Sequence, residues 1–149
     1  MDSIKIDKIK EIKILKKCAS LLKEVYNSDP WNDEWTKEKA HEKLFCFYSS
    51  PKFHGWTAMQ GDEILGCCIG NIEPDFSGDY FNLKEIFVSV KFQRKGIGAL
   101  LLRATKKYLK TIDINNVILV TSQEEFPIEF YQKYNFEVMK DLRVMKCQN

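Results

Sequence analysis

Gln93-Arg94-Lys95-Gly96-Ile97-Gly98 separates a strand-like, β-branched run from a leucine-rich stretch that begins at Ala99. Two glycines at such a junction weaken the chain entropically unless the backbone needs an unusual φ or something must approach it closely. A glycine turn that opens a helix presents amide hydrogens with no intrahelical acceptor. The helix dipole adds positive potential there, and Gln93, Arg94 and Lys95 strengthen the site. Phosphate is the natural guest of such a turn. A Walker loop would require G-x-x-x-x-G-K-[ST], a string the chain lacks, and a dinucleotide fingerprint would require Gly or Ala where Leu101 stands.

The same six residues match [QR]-x-x-G-x-[GA], the pyrophosphate loop of the GNAT acyltransferase superfamily. Further along, Phe130, Tyr131, Lys133 and Phe136 in "FYQKYNF" resemble the carboxy-terminal signature of that family. Asn135 stands where glycine is usual, and asparagine tolerates the left-handed conformation that a helix end requires. Glu124 occupies a position where many members carry an asparagine that contacts the cofactor arm. The resemblance covers residues 55–146; the first 50 match only in the order of their elements.

This resemblance implies acetyl-coenzyme A as co-substrate, with no metal, held where the strands 83–90 and 116–122 splay apart. Carried onto this chain, the cofactor-binding residues are Phe87, Val88, Gln93, Arg94, Lys95, Gly96, Ile97, Gly98 and Ala99. A backbone N–H around Val88 would polarise the thioester carbonyl. Tyr131 aligns with a tyrosine that, in several members, protonates the coenzyme A sulfur. A phenol suits that task because it stays protonated at neutral pH. The acceptor amine must lose a proton, since an alkylamine with a pKa near 10.4 is neutral at pH 7 in no more than about one molecule in a thousand. Glu85, late in its strand, is the candidate base, acting directly or through a water. The bland alternatives are packing for Tyr131 beside Phe130 and a solvated or paired carboxylate for Glu85.

The acceptor side is expected around "YNSDPWNDEWTKEKAHEKLF", where Asp33, Glu34 and Trp35 are the candidate substrate-binding residues, with Tyr26, Trp31 and Asp29 close by. Carboxylates with aromatic faces suit a cationic amine; the same residues could equally cap helices and staple the loop. Asp75 and Asp79, in "EPDFSGDYF", are expected to face the same cleft. Such walls favour a small polycation, in keeping with a general likeness to aminoglycoside 6′-acetyltransferase-like members. The alternatives are amino-terminal or lysine acetylation of a protein, and a non-catalytic module that binds acyl-coenzyme A.

These groups need a scaffold, and the periodicity supplies one. Residues 3–9 alternate as a strand, and Ile14, Leu15, Cys18, Leu21, Leu22 and Val25 recur at helical spacing over 11–26. A second helix follows with Thr36 as N-cap. The runs 55–60 and 64–73 flank a Gly-Asp turn and read as an antiparallel hairpin. A strand over 80–90, a helix over 96–111 and a strand over 116–122 form one βαβ unit with parallel strands. A short helix is expected to start at Pro127, where a missing amide hydrogen does no harm, and a closing strand or hairpin runs from Phe136. The fold class is therefore α/β, a GNAT-like mixed sheet with a splayed central parallel strand pair and helices on both faces, in one domain spanning 1–149.

Composition narrows the function classes. Across 149 residues, 23 basic and 21 acidic side chains leave a formal charge of +2, which gives no general pull toward nucleic acid. Cys18, Cys46, Cys67, Cys68 and Cys147 form no C-x-x-C pair, which suits neither a disulfide framework nor zinc and fits a reducing cytoplasm. No apolar run reaches the roughly 18 residues of a membrane span, and no export signal is evident. Exposed strand edges near the carboxy terminus would allow a homodimer.

Overall fold

The computed structural model describes residues 3–149, which fall into two units that divide after Leu119. In the first, β1 (Lys5–Lys8) leads through a 3-10 turn into α1 (Leu15–Tyr26), followed by α2 (Lys37–Tyr48), β2 (Phe53–Gln60), β3 (Glu63–Glu73), β4 (Tyr80–Val88), α3 (Ile97–Thr111) and β5 (Asn116–Leu119). The sheet order is β1-β2-β3-β4-β5, antiparallel except for the parallel pair β4 and β5. This is the expected mixed sheet.

Alternation along β3 assigns its two faces. Cys67 and Ile69 belong to the core cluster built with Leu15, Cys18, Leu22 and Val25 of α1 and Ala40 and Leu44 of α2. Cys68 points the other way, where the hydroxyl of Thr105 on α3 lies 3.4 Å from its sulfur. Two adjacent cysteines, both fully buried, thus serve opposite layers. Burial pushes the Cys68 thiol up to about 12. The Cys67 thiol is raised as well, first by its hydrogen bond with Cys18 and then by burial. Both are packing groups, as the strand pattern implies.

The α2 start follows the sequence closely. Thr36 Oγ1 accepts a hydrogen bond from the Lys39 amide at 3.1 Å, closing an otherwise open helix end.

One irregularity in β4 decides which way Glu85 faces. Ile69 pairs with Glu85 but Gly70 pairs with Leu83, so Lys84 is an extra residue opposite the β3 backbone. Phe81 and Leu83 therefore face the α3 layer, where Phe81 meets the Trp56 ring at 6.1 Å. Beyond the bulge the parity is reversed, and Glu85 and Phe87 face α1 and α2. Gly70 permits this close backbone approach, since a Cβ there would lie 2.2 Å from the Asn82 carbonyl oxygen.

β5 is shorter than the expected 116–122. Its pairing with β4 covers only Tyr80–Leu83 against Asn116–Leu119, so residues 84–88 of β4 run on without a ladder on that side.

The second unit contains α4 (Glu125–Gln132). It starts two residues before Pro127, not at it. The first four helical amides have no intrahelical acceptor in any case, so proline in the third position forfeits nothing. Ser122 contributes by accepting from the Glu124 amide at 3.0 Å. No strand forms from Phe136 onward among the described residues, and Val144 and Met145 are 77% and 91% exposed. Alternation gives propensity, but a strand exists only where a ladder partner is available.

No helix among the described residues is long and apolar enough to cross a membrane.

Candidate active site

Glu85 is the most enclosed charged group of the region, its side chain 13% exposed. The bulge turns it toward the helices, and both carboxylate oxygens are engaged. Tyr26, the last residue of α1, donates its hydroxyl to Oε2 at 2.7 Å. Lys43, on α2, brings its Nζ to 3.3 Å from Oε1. The Tyr26 ring is fixed edge-on by Phe87 at 6.1 Å and by Trp31 at 5.7 Å.

The segment after α1 is organised around one asparagine. Asn27 Nδ2 donates to the Trp35 carbonyl at 2.9 Å and its Oδ1 accepts from the Trp35 amide at 2.8 Å. The Trp35 indole N–H donates to Asp33 Oδ2 at 3.1 Å, and the Asp33 amide donates to the Tyr26 carbonyl at 2.8 Å. Trp35 is thereby held so that its ring lies 5.2 Å from Lys43 Nζ, while Phe47 lies 5.9 Å from the same atom. Of the three acceptor-side candidates, Trp35 joins the Glu85 group through Lys43, Asp33 holds the indole, and Glu34 is exposed. Asp75 and Asp79 are engaged locally: Asp75 accepts from Ser77, which holds its carboxyl below the usual range, and Asp79 lies 3.7 Å from Lys52.

Three residues past Glu85, β4 ends at Val88. The Ser89 amide donates to the Leu65 carbonyl at 2.7 Å across the Val88–Gly66 pair. Such a bond flanks a non-hydrogen-bonded pair, so the N–H and C=O of Val88 point away from β3, toward the side that β5 leaves open. Gln93 Nε2 donates to that carbonyl at 3.1 Å, tying the turn to the strand end.

Arg94 and Gly96 both adopt left-handed backbone, at φ 62° and φ 85°. A Cβ at Gly96 would meet nothing within 4 Å, so glycine is needed there for its φ rather than for space. Gly96 caps α3, and the Leu100 amide is the first to close onto it, at 3.0 Å from its carbonyl. The amides of Ile97, Gly98 and Ala99 come before that point and are left without an intrahelical acceptor. The Ile97 side chain is buried beneath them, and Lys95 Nζ lies 5.4 Å from the Phe92 ring. This arrangement of a dipole end, open amides and basic side chains fits a pyrophosphate group.

Tyr131 belongs to the second unit. Its carbonyl accepts from the Phe136 amide at 3.2 Å, the Asn135 amide donates to Gln132 at 3.2 Å, and Asn135 has φ 68°. These are the two bonds of a Schellman cap, completed by the Tyr131–Phe136 ring contact at 5.4 Å. Asparagine in place of glycine serves as expected.

Two members of the Glu85 group carry no sequence signal for that role: Tyr26, expected only as an aromatic of the acceptor wall, and Lys43. A lysine between His41 and Phe45 in an amphipathic helix carries no signal that distinguishes it from a solvated one.

No curated protein matches the sequence at a significant level. Among solved structures, a possible acetyltransferase from Clostridium difficile 630 superimposes with a TM-score of 0.80 at 14% identity, covering 98% of this chain and 99% of that one. The aminoglycoside N-acetyltransferase AAC(6')-Iy in complex with CoA gives 0.78 at 16% identity, covering 100% and 97%. The aminoglycoside acetyltransferase meta-AAC0020, from an uncultured soil metagenomic sample and in complex with sisomicin, gives 0.78 at 14%, covering 98% and 96%. The sequence profile of the acetyltransferase (GNAT) family matches residues 16–136. The chain belongs to the GNAT acetyltransferase family.

Proposed function

We propose that residues 1–149 act as a single N-acetyltransferase domain that moves an acetyl group from acetyl-coenzyme A to a primary amine of a small cationic acceptor. The observation that carries this reading is the free run of β4: past its last pairing with β5 it bears Glu85 and Val88, and the turn that Gln93 ties back to the Val88 carbonyl leads on to the open amides of α3. When bound, acetyl-coenzyme A supplies an activated thioester carbonyl.

In this reading the amides of Ile97, Gly98 and Ala99, with Arg94 and Lys95, hold the pyrophosphate, and Phe87 lines the approach to the acetyl group. The Val88 N–H donates to the carbonyl oxygen as charge gathers on it. Glu85 takes one proton from the acceptor ammonium, directly or through a water, and the nitrogen lone pair forms the new C–N bond as the C–S bond breaks. Tyr131 gives its proton to the departing thiolate, and the second proton lost by the new amide nitrogen restores the phenol through solvent, while Glu85 releases its own to solvent. Asp33, Glu34 and Trp35 favour a cation over a neutral or acidic acceptor. Structures of aminoglycoside acetyltransferases, one bound to sisomicin and one to a bisubstrate analog of CoA and acetylneamine, support a small polyamine-like acceptor.

The test is release of free thiol from acetyl-coenzyme A across a panel of diamines, aminoglycosides, amino acids and peptides. Turnover with the first two classes is expected. Turnover confined to peptides would move the acceptor to protein amines, and none with any amine would remove the enzymatic reading.

A further inference from the structure

Lys43 is the cation paired with Glu85 among the described residues, and its surroundings are those of a binding seat. Its ammonium has a carboxylate oxygen at 3.3 Å and the Trp35 and Phe47 rings at 5.2 and 5.9 Å. Both ring distances lie within the roughly 6 Å over which a cation is drawn to an aromatic face. The carboxylate is nearly enclosed, whereas the Lys43 side chain is 36% exposed. A buried carboxylate stripped of its cation is strongly disfavoured, so a cation should be present at Glu85 in every ionised state of the site. A lysine, however, is a compact charge on a flexible four-carbon stem and can swing into solvent.

We propose that the Lys43 ammonium occupies the seat of the acceptor ammonium, and that a primary alkylammonium substrate binds by displacing it. This rests on Glu85 serving the acceptor amine, and it defines the substrate class at that point: an unbranched primary ammonium with a slender apolar stem, the shape of the group it replaces. Lys43 is then an intramolecular competitor that sets the acceptor affinity. Weak cations fail to displace it. A diamine or polyamine, whose second ammonium adds attraction to an acidic wall, succeeds. A bulky secondary or tertiary amine does not fit between the rings and the carboxylate.

Removing the competitor while keeping its stem separates this idea from a supporting role. Lys43→Met retains the apolar chain against Trp35 and Phe47 and deletes the charge; Lys43→Arg retains a cation. The probe is 1,4-diaminobutane, titrated calorimetrically into each protein and assayed separately as acceptor by thiol release. For Lys43→Met, Kd and KM for the diamine should fall roughly fivefold or more, the scale of one ion pair and one cation–π contact. Lys43→Arg should show no such gain and should keep the parental thermal midpoint, whereas Lys43→Met, which leaves the carboxylate without a cation, should melt lower and regain stability when the diamine is added. Unchanged or weaker diamine binding by folded Lys43→Met overturns the proposal, because a lysine that merely positions Glu85, or anchors an acidic acceptor, gives that result. Tighter binding without thiol release from any protein supports displacement and overturns acetyl transfer. Thiol release at parental Kd and KM overturns displacement alone.

Discussion

The hydroxyl of Tyr26 donates to Glu85 Oε2 at 2.7 Å, joining the last residue of α1 to a strand residue 59 positions later. That bond fixes the orientation of the carboxylate and leaves Oε1 as the oxygen that meets a cation. Glu85→Gln keeps the shape and removes the base, so kcat should fall by roughly 10²–10⁴, with activity recovering toward high pH as more acceptor becomes neutral. Tyr26→Phe keeps the rings packed and frees the carboxylate, and a smaller loss of about tenfold is expected. Steady-state kinetics over a pH series check both, and equal effects of the two substitutions would assign the tyrosine more than an orienting role.

The two glycines of the basic turn should respond differently. Gly96→Ala forces a side chain into left-handed backbone and should cost about 1–2 kcal/mol of stability by denaturant unfolding. Gly98→Asp introduces a negative charge at the open amides of α3, and its main effect should be on coenzyme A affinity. Calorimetry with coenzyme A on folded Gly98→Asp decides the point; parental affinity would place the pyrophosphate elsewhere.

Tyr131→Phe preserves the ring contact with Phe136 and the Schellman bonds, which run through backbone, so α4 should keep its end intact. If the phenol protonates the thiolate, kcat should drop by roughly 10²–10⁴ with coenzyme A affinity unchanged. Parental kcat at every pH would leave Tyr131 with a capping role only.

His54 provides a test in another part of the molecule. Its ring stacks on Trp56 and is tilted against Tyr108, Lys8 Nζ sits 3.7 Å from the Tyr108 ring centroid, and His54 Nδ1 is buried with no partner among the described residues. Burial first, and then the Lys8 charge, lower its pKa from 6.5. The folded state therefore resists a proton that the unfolded chain accepts. Stability should be full above the unfolded value, fall as pH drops through it, and level off below the folded pKa. Thermal midpoints measured from about pH 8 to 5 should show this decline. His54→Phe, which leaves the half-buried His41 as the remaining histidine, should flatten it.

The elements were legible wherever the pattern and the packing agree. The α1 spacing, the Thr36 cap, the Gly-Asp hairpin and the helix after the glycine turn all appear within a few residues of expectation. The glycine turn was readable because a left-handed glycine and a helix start are local events. Lys43 and Tyr26 were not, since their meeting at Glu85 is created by tertiary packing and leaves no mark on spacing. The segment from Phe136 was over-read for the opposite reason: alternation is local, whereas a ladder needs a partner.

The extra residue at Lys84 has a wider consequence. It acts as a phase shift in β4, with hydrophobic anchoring of the α3 layer upstream and the Glu85 carboxylate turned toward α1 and α2 downstream. Substituting Lys84 should matter little, because the register depends on the presence of a residue and hardly on its type. Deleting it, or inserting one more between Leu83 and Glu85, would exchange the two faces and send Glu85 into the α3 layer while a neighbour entered the cleft. This strand should tolerate changes in composition far better than changes in length, and the same one-residue count offers a way to silence the site while leaving every side chain proposed to act there in the sequence.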